Sequence, residues 1–257
     1  MMTQQIYIDV ADLGPSTGDQ RHIIGADPGL MVSGDPGHNT RASSGLVLSG
    51  DQEHQNQIQQ VSMRHRTQMA KQIMRFGTWN VRTLQQCGKV ELMAAALHHY
   101  RVDVACLQEV RYPDQGSVSI IAADTDEIYK IYHSGCTNGQ YGVALAIKSQ
   151  LKPAVIDFQV VGDGICYITL NSHSNKLTVI SVYAPTNGYD LAARQSFYDT
   201  LQVVVDSIPK SHFLAFGKDA NAKLGQGLPT SRNFGPFATG VQCENGALLR
   251  NLCLSLC

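Results

Sequence analysis

Three apolar runs, far apart in the sequence, each lead into a side chain that carries an amide or a carboxylate. The segments are Gly77-Thr78-Trp79-Asn80-Val81-Arg82, Leu107-Gln108-Glu109 and Asp219-Ala220-Asn221-Ala222. Each run is typical of a buried β-strand, so the three ends can meet only where neighbouring strands bring them together. Carboxylate and amide oxygens are the groups that a hard divalent cation or a phosphate requires. The pattern therefore indicates metal-assisted phosphodiester chemistry.

The bulk composition is that of a chain with one sizeable domain, or one domain and a tail. Of the 257 residues, 43% are hydrophobic and 16% are charged, which is enough apolar material for a real core. The formal net charge is −1. A nucleic-acid partner would therefore have to be attracted by a local basic patch, since the global field is weak.

Residues 1–70 differ in composition from the rest of the chain. They are rich in Gly, Asp, Ser and Gln, and Asp-Pro-Gly occurs twice, at 27–29 and 35–37. Such a segment cannot bury enough apolar area to offset its ordering entropy. We predict a disordered or low-complexity region at 1–70, followed by a partial folded domain at 75–257.

Several classes of protein are disfavoured by simple sequence patterns. The seven cysteines are odd in number and contain no Cys-x-x-Cys pair, which favours reduced thiols in a nuclear or cytoplasmic protein. The first residues show no secretory signal, and no apolar run is long enough to span a membrane. The sequence has no Gly-x-x-x-x-Gly-Lys-Ser/Thr loop and no Gly-x-Ser-x-Gly elbow. We therefore expect neither a nucleotide cofactor nor a serine hydrolase.

The order of apolar patterns predicts many strands and few helices. Gly88–Tyr100 is predicted to be an amphipathic helix, and Asp190–Ser207 a second one with Leu191, Phe197 and Leu201 toward the core. A last helix is predicted from about Glu244. Strands are predicted before and between these helices, at 75–81, 102–110, 129–133, 141–148, 154–161, 165–171, 177–184 and 212–216. The predicted fold class is α/β, with two packed mixed β-sheets flanked by helices.

Five side chains at these strand ends have the chemistry that phosphodiester hydrolysis needs. Glu109 is the best candidate metal ligand, and Asp219 is a second anchor for a metal or for a water. Asn80 and Asn221 can donate amide hydrogens to phosphate, and Tyr183 can donate a phenol to developing charge. Each residue alone is also typical of an ordinary turn or strand end. The hypothesis depends on their combination and order.

That combination resembles the endonuclease/exonuclease/phosphatase superfamily, which has the DNase I-like fold, a four-layer sandwich. The details are most similar to its craniofacial development protein 2 branch, itself similar to the endonuclease of RTE-type non-LTR retrotransposons. The resemblance covers about residues 75–250. The motifs that carry it stand in the family's order: Thr78-Trp79-Asn80-Val81-Arg82, Leu107-Gln108-Glu109-Val110-Arg111, Tyr141-Gly142-Val143-Ala144, Val182-Tyr183-Ala184-Pro185-Thr186 and Asp219-Ala220-Asn221-Ala222-Lys223-Leu224-Gly225.

The resemblance implies a role for each of the five side chains. Glu109 would bind Mg²⁺, with Mn²⁺ as the alternative ion, and Asn80 would lie beside metal and phosphate. Tyr183 would contact the scissile phosphate, Asp219 would position or activate the nucleophilic water, and Asn221 would hold the phosphate. The implied activity is nicking of DNA that leaves a 3′ hydroxyl.

The sequence departs from the family's pattern at three places. The family continues with further strands and a final Ser-Asp-His, none of which follows Cys257, so we expect a domain that is incomplete at its C-terminus and impaired in general acid–base catalysis. Lys218 stands where the family usually has Gly, and it can either pair with Asp219 or point to solvent. Gly164 stands where the branch usually has Arg, which would remove a phosphate or DNA contact.

Three functions are therefore compatible with the sequence. The first is an Mg²⁺-dependent DNA endonuclease of the retrotransposon-derived type. The second is a non-catalytic remnant or binding module that keeps the scaffold. The third is a phosphomonoesterase of the same superfamily, because a shared fold does not decide the substrate.

Overall fold

The structure is a computed structural model that describes residues 4–9, 23–25, 73–123, 125–137, 139–171, 175–226, 238 and 240–256. Apart from two short strands, the disorder predicted for residues 1–70 lies outside these described residues and stays a prediction. Within the described ranges, no helix is both long and apolar enough to cross a membrane.

Strands outnumber helices in the described ranges, as the sequence predicts. In addition to the elements below, a short 3₁₀ helix lies at Ser149–Ala154. In chain order the elements are β1 (Gln4–Asp9), β2 (Ile23–Gly25), β3 (Ile73–Asn80), α1 (Lys89–His99), β4 (Val104–Gln108), β5 (Gly116–Ile121), β6 (Ile128–His133), β7 (Val143–Lys148), β8 (Val155–Gly162), β9 (Ile165–Asn171), β10 (Lys176–Tyr183), α2 (Leu191–Ser207), β11 (His212–Asp219) and α3 (Glu244–Ser255).

The strands form two mixed sheets. The first has the order β1-β3-β4-β7-β6-β5 and the second has the order β2-β11-β10-β9-β8. β3 and β4 run parallel in the first sheet, with Asn80 paired to Gln108. β10 and β11 run parallel in the second sheet, with Tyr183 paired to Asp219. β11 also runs parallel to β2. Asn80 and Gln108 therefore end neighbouring parallel strands in the first sheet, and Tyr183 and Asp219 do so in the second.

The two sheets pack face to face and are covered by helices on their outer faces. Apolar side chains from both sheets, such as Val104 and Val179, form the core between them. α1 packs on the outer face of the first sheet, and α2 and α3 pack on the outer face of the second. The result is the helix–sheet–sheet–helix arrangement of four layers, which confirms the predicted α/β sandwich.

Two details of the prediction were wrong. β5 is not among the predicted strands, because it is an edge strand with mostly exposed side chains and lacks the apolar pattern of a buried strand. Leu191 is 55% exposed at the start of α2, whereas Arg194 and Tyr198 are buried on the inner face of this helix. The helix therefore presents a polar side chain to the interior, where the guanidinium of Arg194 pairs with Glu244 at the start of α3.

Candidate active site

The candidate site lies where the apolar core between the sheets ends. Successive side chains of a strand point to opposite faces, so residues four apart share a face. Phe76, Val179 and Ala215 belong to the core between the sheets. Asn80 and Asp219 follow Phe76 and Ala215 by four residues, and therefore extend the same inward-facing rows past the end of the core. Tyr183 continues the row of Val179 and borders both the core and the site.

Asn80 joins the two sheets at this edge. Its amide Nδ2 donates to Oε1 of Glu109 at 2.7 Å and to Oδ2 of Asp219 at 2.9 Å. Its Oδ1 accepts from the backbone N–H of Arg82 at 3.2 Å, which fixes the orientation of the amide. The three strand ends that the sequence singles out are therefore brought together by one side chain.

Glu109 reaches the site through an unusual backbone conformation. It directly follows β4, and a regular strand would direct it to the face opposite that of Gln108. Its φ is +56°, in the left-handed region that non-glycine residues rarely adopt. This turn directs the carboxylate into the site, where Oε1 accepts from the hydroxyl of Tyr183 at 3.0 Å and Oε2 accepts from Arg111 at 2.7 Å. Backbone strain at a cluster of polar side chains is typical of functional sites.

The surroundings of Glu109 keep its carboxylate ionised. Burial raises the pKa of Glu109, but hydrogen bonds from Asn80, Arg111 and Tyr183, together with the charge of Arg111, outweigh burial and lower the pKa below its usual value. The pKa of Tyr183 is raised by burial, by its bond to Glu109 and by the charges of Glu109 and Asp219. Tyr183 therefore keeps its proton near neutral pH and acts as a hydrogen-bond donor.

Arg111 offers a test of this electrostatic balance. In Arg111→Gln, the pKa of Glu109 should rise, because both a charge-assisted hydrogen bond and a nearby positive charge are lost. A lowered pKa stabilises the fold above the usual pKa of glutamate, and this stabilisation is lost as the pH falls through the lowered value. NMR titration of the ¹³C-labelled Glu109 carboxyl in both proteins measures the change. An identical titration midpoint would show that Arg111 does not control this carboxylate.

Asp219 and Asn221 lie in a tight turn after β11. The backbone N–H of Asn221 donates to Oδ1 of Asp219 at 3.2 Å, and φ of Asn221 is +45°. The amide Nδ2 of Asn221 donates to the carbonyl of Ala184 at 2.8 Å. This bond ties the loop after β11 to the loop after β10. It also occupies the amide of Asn221, which the sequence analysis assigns to phosphate.

A buried polar layer lies one or two residues before these side chains along the same four strands. Gln108 is 1% exposed, and its Nε2 donates to Thr78 Oγ1 at 3.2 Å and contacts Ser181 Oγ at 3.5 Å and the carbonyl of Gly217 at 3.4 Å. The hydroxyl of Ser181 donates in turn to the carbonyl of Leu107 at 3.3 Å. The layer joins all four central strands and holds their ends in register. The signal in the sequence was a single Gln at the end of the run Val-Ala-Cys-Leu-Gln.

Asn245 is a second supporting residue that the sequence analysis missed. It is fully buried at the start of α3, and its Nδ2 donates to the carbonyls of Pro185 at 2.7 Å and Asn221 at 3.2 Å. It therefore holds the loops that follow β10 and β11 against each other. An Asn near a helix start is common for capping reasons alone, so no sequence pattern places Asn245 at the site.

Loss of this amide should destabilise the domain and loosen both loops. In Asn245→Ala, the two buried carbonyls lose their donor, at a cost of about 1–3 kcal/mol. In thermal melts, Asn245→Ala should have a lower melting temperature than the control variant Asn251→Ala, which removes an exposed Asn from the same helix. Equal melting temperatures for the two variants would contradict the role given to Asn245.

The structure also shows the surroundings of Lys218 and Gly164, two positions where the sequence departs from the family's pattern. Lys218 alternates with Asp219 along β11 and lies on the opposite face, where it lines a small apolar pocket of about 60 Å³ with Phe216 and Leu249. It therefore forms no pair with Asp219. At Gly164, an added Cβ would lie 2.6 Å from the carbonyl oxygen of Tyr183, so this backbone has no room for any side chain, including the expected Arg.

The fold and the site together define a class of protein. Two mixed sheets sandwiched between helices, with a carboxylate–amide–phenol cluster at the end of the shared core, are the frame of a DNase I-like hydrolase. The chain belongs to the Endonuclease/Exonuclease/phosphatase family, whose model matches residues 77–241.

Individual relatives support the same assignment. Craniofacial development protein 2 from Bos taurus is 29% identical over 178 residues, which cover 69% of this chain and 29% of that protein. Its counterpart from Tragulus javanicus is also 29% identical, over 69% of this chain and 30% of that protein. The chain thus spans less than a third of the length of these relatives. The crystal structure of the AP endonuclease LMAP from Leishmania major matches with a TM-score of 0.50 and 16% identity, covering 70% of this chain and 66% of that chain, which is a likeness of fold.

Proposed function

We propose that this chain hydrolyses phosphodiester bonds in DNA, with Mg²⁺ as its ion, at the cluster formed by Asn80, Glu109, Tyr183, Asp219 and Asn221. The observation that carries the proposal is the Asn80 amide, which donates to carboxylates on both sheets. Membership of the family supports phosphodiester hydrolysis in general. Nicking of DNA that leaves a 3′ hydroxyl is the finer form of the proposal.

The residues present fit a magnesium ion. Mg²⁺ is usually bound through one or two carboxylates and keeps several waters. The described residues contain no group of three or more His, Cys, Asp and Glu side chains suited to a metal. Glu109, held ionised by its neighbours, would hold the ion, with Asp219 close by. Asn80 would add its Oδ1 after turning its amide and releasing the backbone N–H of Arg82. When bound, the ion would neutralise charge on the phosphoryl oxygens.

The remaining steps fall to the side chains of the chain itself. Asp219 would orient the attacking water, since its carboxylate is fixed by Asn80 on one oxygen and by the backbone of Asn221 on the other. Tyr183 keeps its proton and, after exchanging its bond to Glu109, would donate its O–H to the charge that develops on the phosphoryl group. The amide of Asn221 would donate to a phosphate oxygen after exchanging its bond to Ala184.

Local positive charge at the rim supports a polyanionic substrate. Arg82 is exposed two residues after Asn80, and the side chain of Arg111 is 36% exposed beside Glu109. Since the whole chain has a net charge of −1, attraction to DNA would depend on such local groups and should weaken as salt is added.

A labelled synthetic duplex tests the proposal. Wild-type chain with Mg²⁺ should cut the duplex, and a DNA polymerase should extend the new 3′ end, because a 3′ hydroxyl remains. Asp219→Asn should lower the rate by more than about 100-fold, as expected for loss of a group that acts on the nucleophile. Asp157→Asn, at an exposed position on β8, is the matched control and should leave the rate unchanged.

Two outcomes would replace the proposal by one of its alternatives. A folded chain that binds the duplex without cutting it would be a non-catalytic binding module. A chain that releases phosphate from small monoesters and leaves DNA intact would be a phosphomonoesterase.

A further inference from the structure

An aromatic cleft adjoins the candidate site on the side of the second sheet. The cleft has a volume of about 380 Å³, within the roughly 300–1,000 Å³ that is usual for ligand pockets. It lies between the turn that joins β8 to β9, the loop after β10 and the first turns of α2. Four aromatic rings are among the groups that line it: Tyr141, Tyr183, Tyr189 and Phe197.

Tyr183 makes the cleft and the site continuous. Its hydroxyl donates to Glu109, while its ring lines the cleft and lies 5.6 Å from the ring of Tyr141, measured between centroids. A molecule whose phosphate sits at the site therefore has the cleft beside it, on the other side of the Tyr183 ring.

The chemistry of the walls selects a flat and uncharged occupant. None of the described residues that line the cleft is Lys, Arg or His. The one charged side chain is Asp163, whose Oδ2 accepts from both the backbone N–H of Thr137 at 2.9 Å and its hydroxyl at 2.6 Å. A carboxylate at the rim repels phosphate, so the phosphate belongs at the site and the neutral ring of a nucleotide belongs in the cleft.

The shape of the cleft is already formed. Tyr189 is 40% exposed, and its hydroxyl is hydrogen-bonded to that of Tyr141, which holds both rings at the mouth. Their ring planes meet at 66°. Gly164 leaves the inner wall open, because a Cβ there would lie 3.0 Å from the ring of Phe197. Preformed aromatic surfaces stack bases of any sequence, since every base has a π-face.

We propose that this cleft binds an unpaired nucleobase next to the phosphate held at the site, and so directs the chain to single-stranded or bulged DNA. The proposal names a substrate class for the proposed nuclease site and rests on that function. A base within a regular duplex is stacked and paired on both sides, so only an unpaired base is free to enter.

Binding measured in EDTA tests the cleft without cleavage. Three fluorescein-labelled DNA hairpins are compared by anisotropy: one fully paired, one with a single bulged thymidine, and one with a bulged abasic analogue at the same place. Wild-type chain should bind the thymidine bulge about tenfold more tightly than the other two, the effect of one stacked base. Tyr189→Ala should lose this preference, whereas Tyr189→Phe should keep most of it.

Tyr100→Ala removes another exposed tyrosine, at the end of α1 opposite the site, and should leave the preference intact. Equal binding of the three hairpins by wild type, or an unchanged preference in Tyr189→Ala, overturns the proposal. Binding of a proline-rich peptide that is lost in Tyr189→Ala, without base preference, assigns the cleft to a peptide instead.

Failure of the cleft is distinguishable from failure of the proposed function. Base-dependent binding by a chain that does not cut DNA in Mg²⁺ would overturn the nuclease and leave the cleft as a nucleobase site. Cutting of DNA without any base-dependent binding would leave the nuclease in place and overturn the nucleobase site.

Discussion

Replacing Glu109 by Gln should abolish Mg²⁺ binding, as measured by isothermal titration calorimetry. Glu109 is the carboxylate that its neighbours keep ionised, through hydrogen bonds from Asn80, Tyr183 and Arg111. Gln has nearly the same shape but carries no charge, so it offers Mg²⁺ a much weaker ligand. Loss of a residue that only orients a metal ligand costs about 10–100-fold in affinity or activity, so loss of the ligand itself should cost more.

The control for this variant is Glu91→Gln, which changes an exposed glutamate on α1 that is not part of the cluster. It should bind Mg²⁺ like the wild type. Glu91→Gln should melt at the wild-type temperature, whereas Glu109→Gln should stay folded but melt lower, because it loses the charged interactions that lower the pKa of Glu109. Unchanged Mg²⁺ binding by a folded Glu109→Gln variant would remove Glu109 from the metal site.

Replacing Gly217 by Ala should strongly destabilise the domain. Gly217 lies on β11 opposite Cys106 of β4, and an added Cβ would stand 2.2 Å from Cβ and 2.5 Å from Sγ of Cys106. The Cβ of Cys106 is attached to the backbone of β4, so it can move away only if the two strands separate. We expect a loss of about 3 kcal/mol, the upper part of the usual cost of overpacking. This loss corresponds to a fall in melting temperature of roughly 6–12 °C for a domain of this size.

A matched control and a rescue make the test specific. Gly162→Ala adds a methyl group on β8, where nothing lies within 4 Å, and should leave the melting temperature almost unchanged. Adding Cys106→Gly to Gly217→Ala removes the opposing atoms and should restore part of the loss, less the roughly 0.5–1 kcal/mol that glycine costs in a strand. A double variant no more stable than Gly217→Ala would show that the contact with Cys106 is not the cause.

The fold and the centre of the site were predictable because both follow from the two-residue period of strands. Apolar runs that end in Asn80, Glu109 and Asp219 place polar side chains at the end of a shared core, whatever the details of the loops. The strands at 165–171 and 177–184 were predicted within one residue of β9 and β10 for the same reason. The strand β5 was missed because an exposed edge strand needs no apolar alternation.

The supporting contacts were not predictable, because they depend on distances between segments that are remote in sequence. Asn245 reaches Asn221 from a different helix, and Gln108 meets Ser181 across the gap between the sheets. Strand alternation determines the face on which Lys218 lies. The strand was predicted to end at Phe216, before Lys218, so alternation could not be applied to this residue. That Gly164 has no space for a side chain depends on the carbonyl of Tyr183 on the neighbouring strand β10, a position that no local pattern encodes.

The most direct test of the central claim is nicking of supercoiled plasmid by the purified chain. Wild-type chain should convert supercoiled DNA to the open circle in Mg²⁺, EDTA should stop the reaction, and Glu109→Gln should be inactive. Nicking that persists in EDTA, or that Glu109→Gln retains, would contradict the site. A folded, soluble chain that leaves the plasmid supercoiled in Mg²⁺ would contradict the nuclease itself.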